Sequence, residues 1–151
     1  MSRTEQVILT NLCMITDGQS ILVQDRKSEK WPGVTFPGGH IEHGESIISS
    51  IIREVKEETG LTVSNLELCG VQNWTDPKDQ YRYLVFCYKT SHFSGTIQSS
   101  DEGQVFWMDR VDLKNVQLAD GFESMLEIFE QPQLTENYYW FEDGEWKAEN
   151  R

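Results

Sequence analysis

Cysteine is scarce and unpatterned in this chain. Cys13, Cys69 and Cys87 make an odd count with no C-x-x-C spacing, which suits neither a disulfide framework nor a thiolate metal site. Each lies in or beside an apolar stretch, so all three are read as buried thiols of a protein kept in a reducing, cytoplasmic setting. Long hydrophobic runs are missing too. Val7 to Ile15 is too short and too interrupted to span a bilayer, and nothing resembles a signal-peptide cleavage site, so no membrane role is expected. Basic charge is in short supply. With 13 Lys and Arg against 25 Asp and Glu, the formal charge is −12, and such a surface repels polyanions, which disfavours general DNA or RNA binding. A small phosphorylated ligand is still allowed, because a bound divalent cation inverts the local charge. No internal repeat, low-complexity tract or linker divides the 151 residues. The length favours one domain, 1–151, with a proper core.

What is present reads first as strands. Residues 5–16 (EQVILTNLCMIT) are β-branched and apolar and stop at Asp17-Gly18, a turn dipeptide. The chain resumes over Ser20–Arg26, so a hairpin is expected. Residues 31–39 (WPGVTFPGG) are dense in Pro and Gly and must be loop or short strand. Leu61–Asn73 and Tyr81–Thr90 read as a second antiparallel pair around a turn at Asp76-Pro77. A polar loop follows over 91–103, then a short apolar strand, Gln104–Met108. Residues 120–130 (DGFESMLEIFE) place Phe122, Met125, Leu126 and Phe129 at i, i+3, i+4 and i+7, a core-packing helix with Asp120 as its expected N-cap. The tail, YYWFEDGEWK, reads as a hairpin turning at Glu142-Asp143-Gly144, which either covers the domain or joins a partner subunit. Strands before, between and after two helices imply an α/β fold, a mixed β-sheet sandwiched between helices.

The chain is organised around Gly39 to Leu61, GHIEHGESIISSIIREVKEETGL. Ile48, Ile51, Ile52 and Val55 make an apolar stripe about 100° wide on one helix. Glu54, Glu57 and Glu58 stand at i, i+3 and i+4, which puts three carboxylates on one face beside that stripe. Gly44-Glu45 is expected to open the helix and Gly60 to end it in the left-handed conformation. No basic residue sits among the three acids, and like charges so spaced repel. The cluster makes sense if a cation sits there, and carboxylate oxygens are hard ligands suited to Mg²⁺ or Mn²⁺. Upstream, Gly38 and Gly39 let the backbone approach a ligand closely, because no Cβ intervenes. His40 and His43 lack the partner spacing of a zinc site and read as surface residues, with a phosphate contact as the alternative for His40.

The pattern G-x5-E-x7-R-E-U-x-E-E-x-G-U, where U is aliphatic, resembles the Nudix box at every specified position from Gly39 to Leu61. The resemblance covers about residues 5–130 and leaves 131–151 as a variable extension. It implies the Nudix α/β/α sandwich and a Mg²⁺-dependent hydrolase of phosphoric anhydride bonds, with Mn²⁺ able to substitute. The metal ligands it implies are Glu54, Glu57, Glu58 and the Gly38 carbonyl. Glu57, Glu54 and Glu102, the loop acid before the Gln104–Met108 strand, remain open as the group that takes the proton from water. Arg53 is implied to orient a carboxylate, with Glu45 and Gly60 structural. Arg26 is a phosphate contact or a basic loop residue. Among branches of the family, RKSEKWPGVTFPGGH and DEGQVFW are similar to the mutator type, which splits 8-oxo-dGTP into its monophosphate and pyrophosphate. Oxidation at C8 turns N7 of guanine into a donor, so the base needs an acceptor, and Asp120 is the candidate beside its capping role. ADP-ribose or another nucleoside diphosphate derivative, and the pyrophosphate at an RNA 5′ end, are the other substrates the resemblance allows. The absence of an extra N-terminal domain favours the triphosphate. A nucleotide-binding module without activity is the reading from a different class. The chain is expected as a monomer or homodimer with a small nucleotide as its ligand.

Overall fold

The first strand is buried on both faces at its centre, over Cys13, Met14 and Ile15, and this sets the architecture. A computed structural model describes residues 2–151, and in it β1 (Val7–Asp17) turns through Gly18-Gln19 into β2 (Ser20–Arg26), pairing Asp17 with Ser20. Cys13 and Ile15 point to one face and Met14 to the other, as alternation along a pleat requires. The Pro/Gly-rich stretch gives two three-residue strands, β3 (Gly33–Thr35) and β4 (Gly38–His40). After them come α1 (Ile47–Thr59), β5 (Thr62–Ser64), β6 (Glu67–Thr75) and β7 (Arg82–Thr90). The chain continues through β8 (His92–Ser94), β9 (Gly103–Asp109), a 3₁₀ turn (Arg110–Asn115), α2 (Phe122–Glu130), β10 (Glu136–Glu142) and β11 (Glu145–Asn150).

The main sheet runs β11-β10-β6-β7-β1-β2-β3, with β4 beside β1 and β9 beside β2. It is mixed: β1 and β7 are parallel, as are β6 and β10, and the other pairings are antiparallel. Each face carries a core. Cys13, Ile15, Leu22 and Val105 pack on Ile51 and Val55 of α1, while Met14, Ile21, Val23 and Phe36 pack under α2. Phe36 meets Phe122 and Phe129 edge to face, with centroids 4.8 and 5.0 Å apart, a favoured aromatic geometry. This is the sandwich expected from the order of elements.

Several local expectations give way. Ser46, not Gly44-Glu45, caps α1: its Oγ accepts from the Ser49 amide at 3.2 Å, a bond a neutral hydroxyl makes as well as a carboxylate. Ile48 is exposed, whereas Glu54 and Glu58 share the buried face with Ile51 and Val55, so packing and acidic faces are not separate. Asp120 does not cap α2, because Gly121, at φ 81°, holds that position without a side chain to offer. The polar stretch 91–103 contains β8, which pairs with β5. Cys13 and Cys87 are buried but Cys69 is only half-buried. The tail hairpin turns at Asp143-Gly144 and docks on its own sheet, Glu136 opposite Val71. No helix of the described residues is long and apolar enough to cross a membrane.

Candidate active site

β4 is squeezed between β1 and α1, and only glycine fits there. A Cβ on Gly38 would lie 2.0 Å from the Asn11 carbonyl oxygen, and one on Gly39 would lie 2.4 Å from the Glu54 carboxyl carbon. The register is fixed by a buried amide. Asn11 accepts from the Gly39 N–H at 3.3 Å and donates to Ser50 Oγ at 2.9 Å, tying strand to helix. Sequence reasoning passed over Asn11; the available signal was one carboxamide within an apolar strand.

Glu58 enters the core and stands 2% exposed. Its Oε2 accepts from the Gly38 N–H at 3.0 Å, and its buried Oε1 has no protein partner. Burial, and then the Glu102 carboxyl beside it, push its pKa up to about 9. Glu54 is raised too, chiefly by burial, against the pull of Arg53. Glu57 is different, with a side chain 57% exposed.

Arg53 joins most of the motif. Its Nε and Nη2 fork onto Glu45 at 2.8 and 2.9 Å, Nη1 donates to Glu54 at 2.9 Å and reaches Glu57 at 3.2 Å, and Nη2 also donates to the His40 carbonyl at 3.0 Å. This corrects the expectation that no base sits among the acids, because the guanidinium folds back along its own helix between two of them. A bidentate fork of this kind fixes direction as well as charge. Arg53 holds the Glu45 carboxyl down at about 2, and Glu45 in turn accepts from the Glu42 N–H at 3.0 Å. Glu45 and Arg53 therefore brace the loop from β4 into α1.

Glu58 has no cation beside it and feels both Glu102 and Glu54, and Glu54 in turn feels Glu102. Among the described residues no three acidic, histidine or cysteine side chains converge on one point, since Arg53 draws Glu54 and Glu57 to itself. The residues still fit a hard divalent cation: the donors are oxygens, one carboxylate oxygen is buried and unpartnered, and the buried carboxyls resist ionisation for want of positive charge.

A cavity of about 150 Å³ opens next to Gly38 and Gly39. Arg26, His40 and Asp120 line it together with Trp31 and Trp74. Arg26 is half-buried at the end of β2, while His40 and Asp120 are exposed. Trp31 Nε1 donates to the Asp120 carbonyl at 3.0 Å, closing one rim. Trp74 stacks on Tyr83 at 4.7 Å with planes 1° apart, and buried Gln72 donates to the Gly121 carbonyl at 3.0 Å. These three were not singled out from sequence, since an alternating strand names its faces without saying which one lines a cavity. Glu102 lies in the exposed loop before β9.

The NUDIX domain profile matches residues 9–132. A Bacillus subtilis protein described as "Uncharacterized Nudix hydrolase YvcI" is 31% identical over 124 residues, covering 80% of this chain and 77% of that one. The "NAD-capped RNA hydrolase NudC" of Pseudomonas aeruginosa is 34% identical over 92 residues, 60% of this chain, but this chain spans only 31% of its length. In fold, the chain is similar to the crystal structure of a mutator MutT protein from Bacillus halodurans, with TM-score 0.77, 23% identity, and coverage of 94% and 97% of the two chains.

Proposed function

Because the chain belongs to the Nudix family, whose hydrolases generally use divalent ions such as Mg²⁺, we propose that it is a Mg²⁺-dependent nucleoside triphosphate pyrophosphohydrolase acting on 8-oxo-dGTP. Glu54, Glu57, Glu58 and the Gly38 carbonyl would hold the ion, with Mn²⁺ as a substitute. When bound, such an ion neutralises phosphate charge and acidifies a water. The protein's own residues supply the rest. Arg53 orients Glu54, and Glu45 keeps Arg53 in place. Glu57, Glu54 or Glu102 accepts the proton of the attacking water. Arg26, His40 and the Gly39 backbone meet the phosphates, and the base enters the cavity towards Asp120.

One observation carries the choice of base. Asp120 lies on the cavity rim and caps no helix, so its carboxylate is free of the competing role and available to accept from N7–H of the oxidised purine. Expected are conversion of 8-oxo-dGTP to the monophosphate and pyrophosphate, preference over dGTP, and erosion of that preference by orders of magnitude in Asp120→Ala. Product-resolved rates on both nucleotides check this. A wild type without preference sinks the oxidised-base reading. No hydrolysis of any nucleotide with Mg²⁺ would leave a binding module. A nucleoside diphosphate derivative is the second reading, favoured by the likeness to NudC, and ADP-ribose belongs in the same panel.

A further inference from the structure

Buried Asn11, Ser50, Thr59, Gln72 and Asn137 each find a hydrogen-bond partner. Among the described residues, three buried side-chain polar atoms do not, and they belong to two residues: Oε1 and Nε2 of Gln24, and Oε1 of Glu58. Gln24 is 0% exposed. A buried polar atom without a partner destabilises a fold, so a side chain with two of them calls for a reason.

Both residues lie on the same flank of the sheet. Along β2, Ile21 and Val23 pack under α2 and Leu22 under α1, so alternation turns Gln24 to the α1 side. Gln24 stands opposite Thr35 of β3 and Val105 of β9. Val105 packs in one core with Val55, which precedes Glu58 by one helical turn. Glu58 meets Gly38 of β4 and has Glu102 beside it. The Glu102 carbonyl accepts from the Lys27 N–H at 3.1 Å, just past the end of β2. β2 therefore runs beneath Glu58, and Gln24 is its buried polar side chain there.

A carboxamide offers the donor that Glu58 Oε1 lacks. We infer that Gln24 is a positioning residue for Glu58: with an ion bound, its Nε2–H donates to Oε1 and fixes the direction of the carboxylate. Hydrogen bonds one layer behind the groups that hold a metal set the orientation of those groups. Unbonded, as it stands here, the carboxamide destabilises the fold. Gln24 thus favours metal binding and lowers stability. This rests on the proposed part of Glu58 in holding the ion and not on the choice of nucleotide.

Melting in EDTA and titration with Mn²⁺, followed by electron paramagnetic resonance of the free ion, test the role on the whole chain. Gln24→Met keeps the length of the side chain and removes both polar atoms. It is expected to raise Tm in EDTA and to weaken Mn²⁺ binding by about tenfold or more, the scale of losing a bond behind a metal ligand. Leu22→Met changes the packing of the same buried face without touching a polar atom, and should leave the Mn²⁺ Kd within about twofold. Circular dichroism confirms folding, and Gln24→Leu is read by the same two measurements where the Met variant does not fold. An unchanged Mn²⁺ Kd in Gln24→Met, a lower Tm in EDTA, or an equal loss of affinity in Leu22→Met overturns the role. A wild type that binds no Mn²⁺ rejects the ion-binding reading of the acidic site and this role with it, whereas a Kd unmoved by Gln24→Met leaves that reading standing.

Discussion

Two carboxylates of the same site titrate in opposite senses. Arg53 holds Glu45 at about 2, below the ordinary 4.5, while burial and Glu102 lift Glu58 to about 9. Glu45 contributes stability that is present above the unfolded value and lost as pH falls from 4.5 towards 2. Glu58 is the reverse. The folded state keeps a proton that the unfolded chain releases, so stability drains away as pH rises from 4.5 to about 9. Glu54 shifts in the same direction and adds to the decline. The metal-free protein is therefore expected to melt lower near about pH 8 than near about pH 5, and Glu58→Gln to flatten that slope. Mg²⁺ should raise Tm most at the alkaline end, where a cation replaces the proton. Melts in EDTA and in Mg²⁺ across this range decide it; an unchanged slope in the Gln variant removes Glu58 as the source.

At the scale of the element, α1 packs and carries acid on overlapping faces. Ile51 is fully buried against β1 and β2, so Ile51→Ala should cost about 2–5 kcal/mol. Glu57, out in solvent beside Arg53, is expected to behave differently: Glu57→Gln should move stability by less than about 0.5 kcal/mol. Its kcat should fall by at least about 10²-fold, the scale of losing a positioned acid–base or electrostatic group. Denaturant melts and initial rates on both variants separate fold from chemistry, and similar losses in both would show that Glu57 also supports the helix. Gly60 closes α1 at φ 81°, with its N–H on the Lys56 carbonyl, and the Lys56 ammonium caps the Gly60 carbonyl at 3.0 Å. The helix end is thus defined locally, as the motif spacing implied.

At the scale of the whole molecule, the hairpin is the part that joins distant segments. Asn137 links β10 to β6, β11 and α2 through Gln72, Asn150 and Ser124. Asn137→Ala would strand those partners in a buried place and is expected to cost about 1–3 kcal/mol. Hydrogen exchange on the same variant should show β10 and β11 opening together while β1 and β7 stay protected. Loss of protection throughout the sheet would mean that the hairpin is not a separate cooperative unit.

Sequence by itself determined the periodicities and the spacing of the acidic motif. The apolar, β-branched runs of β1 and β2, the turn at Asp17-Gly18, the apolar stripe of α2 and the Gly39–Leu61 pattern are local. Each is decided by residues within a few positions of one another, which is the range over which backbone sterics and side-chain spacing act. Tertiary structure alone decided which of those acids would be buried and what would stand across from them. Glu58 finds the Gly38 amide twenty positions upstream, Asn11 finds Ser50, and Trp146 joins a groove with Trp31. Such meetings depend on sheet order and on the angle at which α1 and α2 cross the sheet. The same logic explains why Asp120 looked like a cap. A short polar residue before an apolar stripe satisfies the local rule, but Gly121 took the left-handed turn into α2 and left Asp120 on the cavity rim.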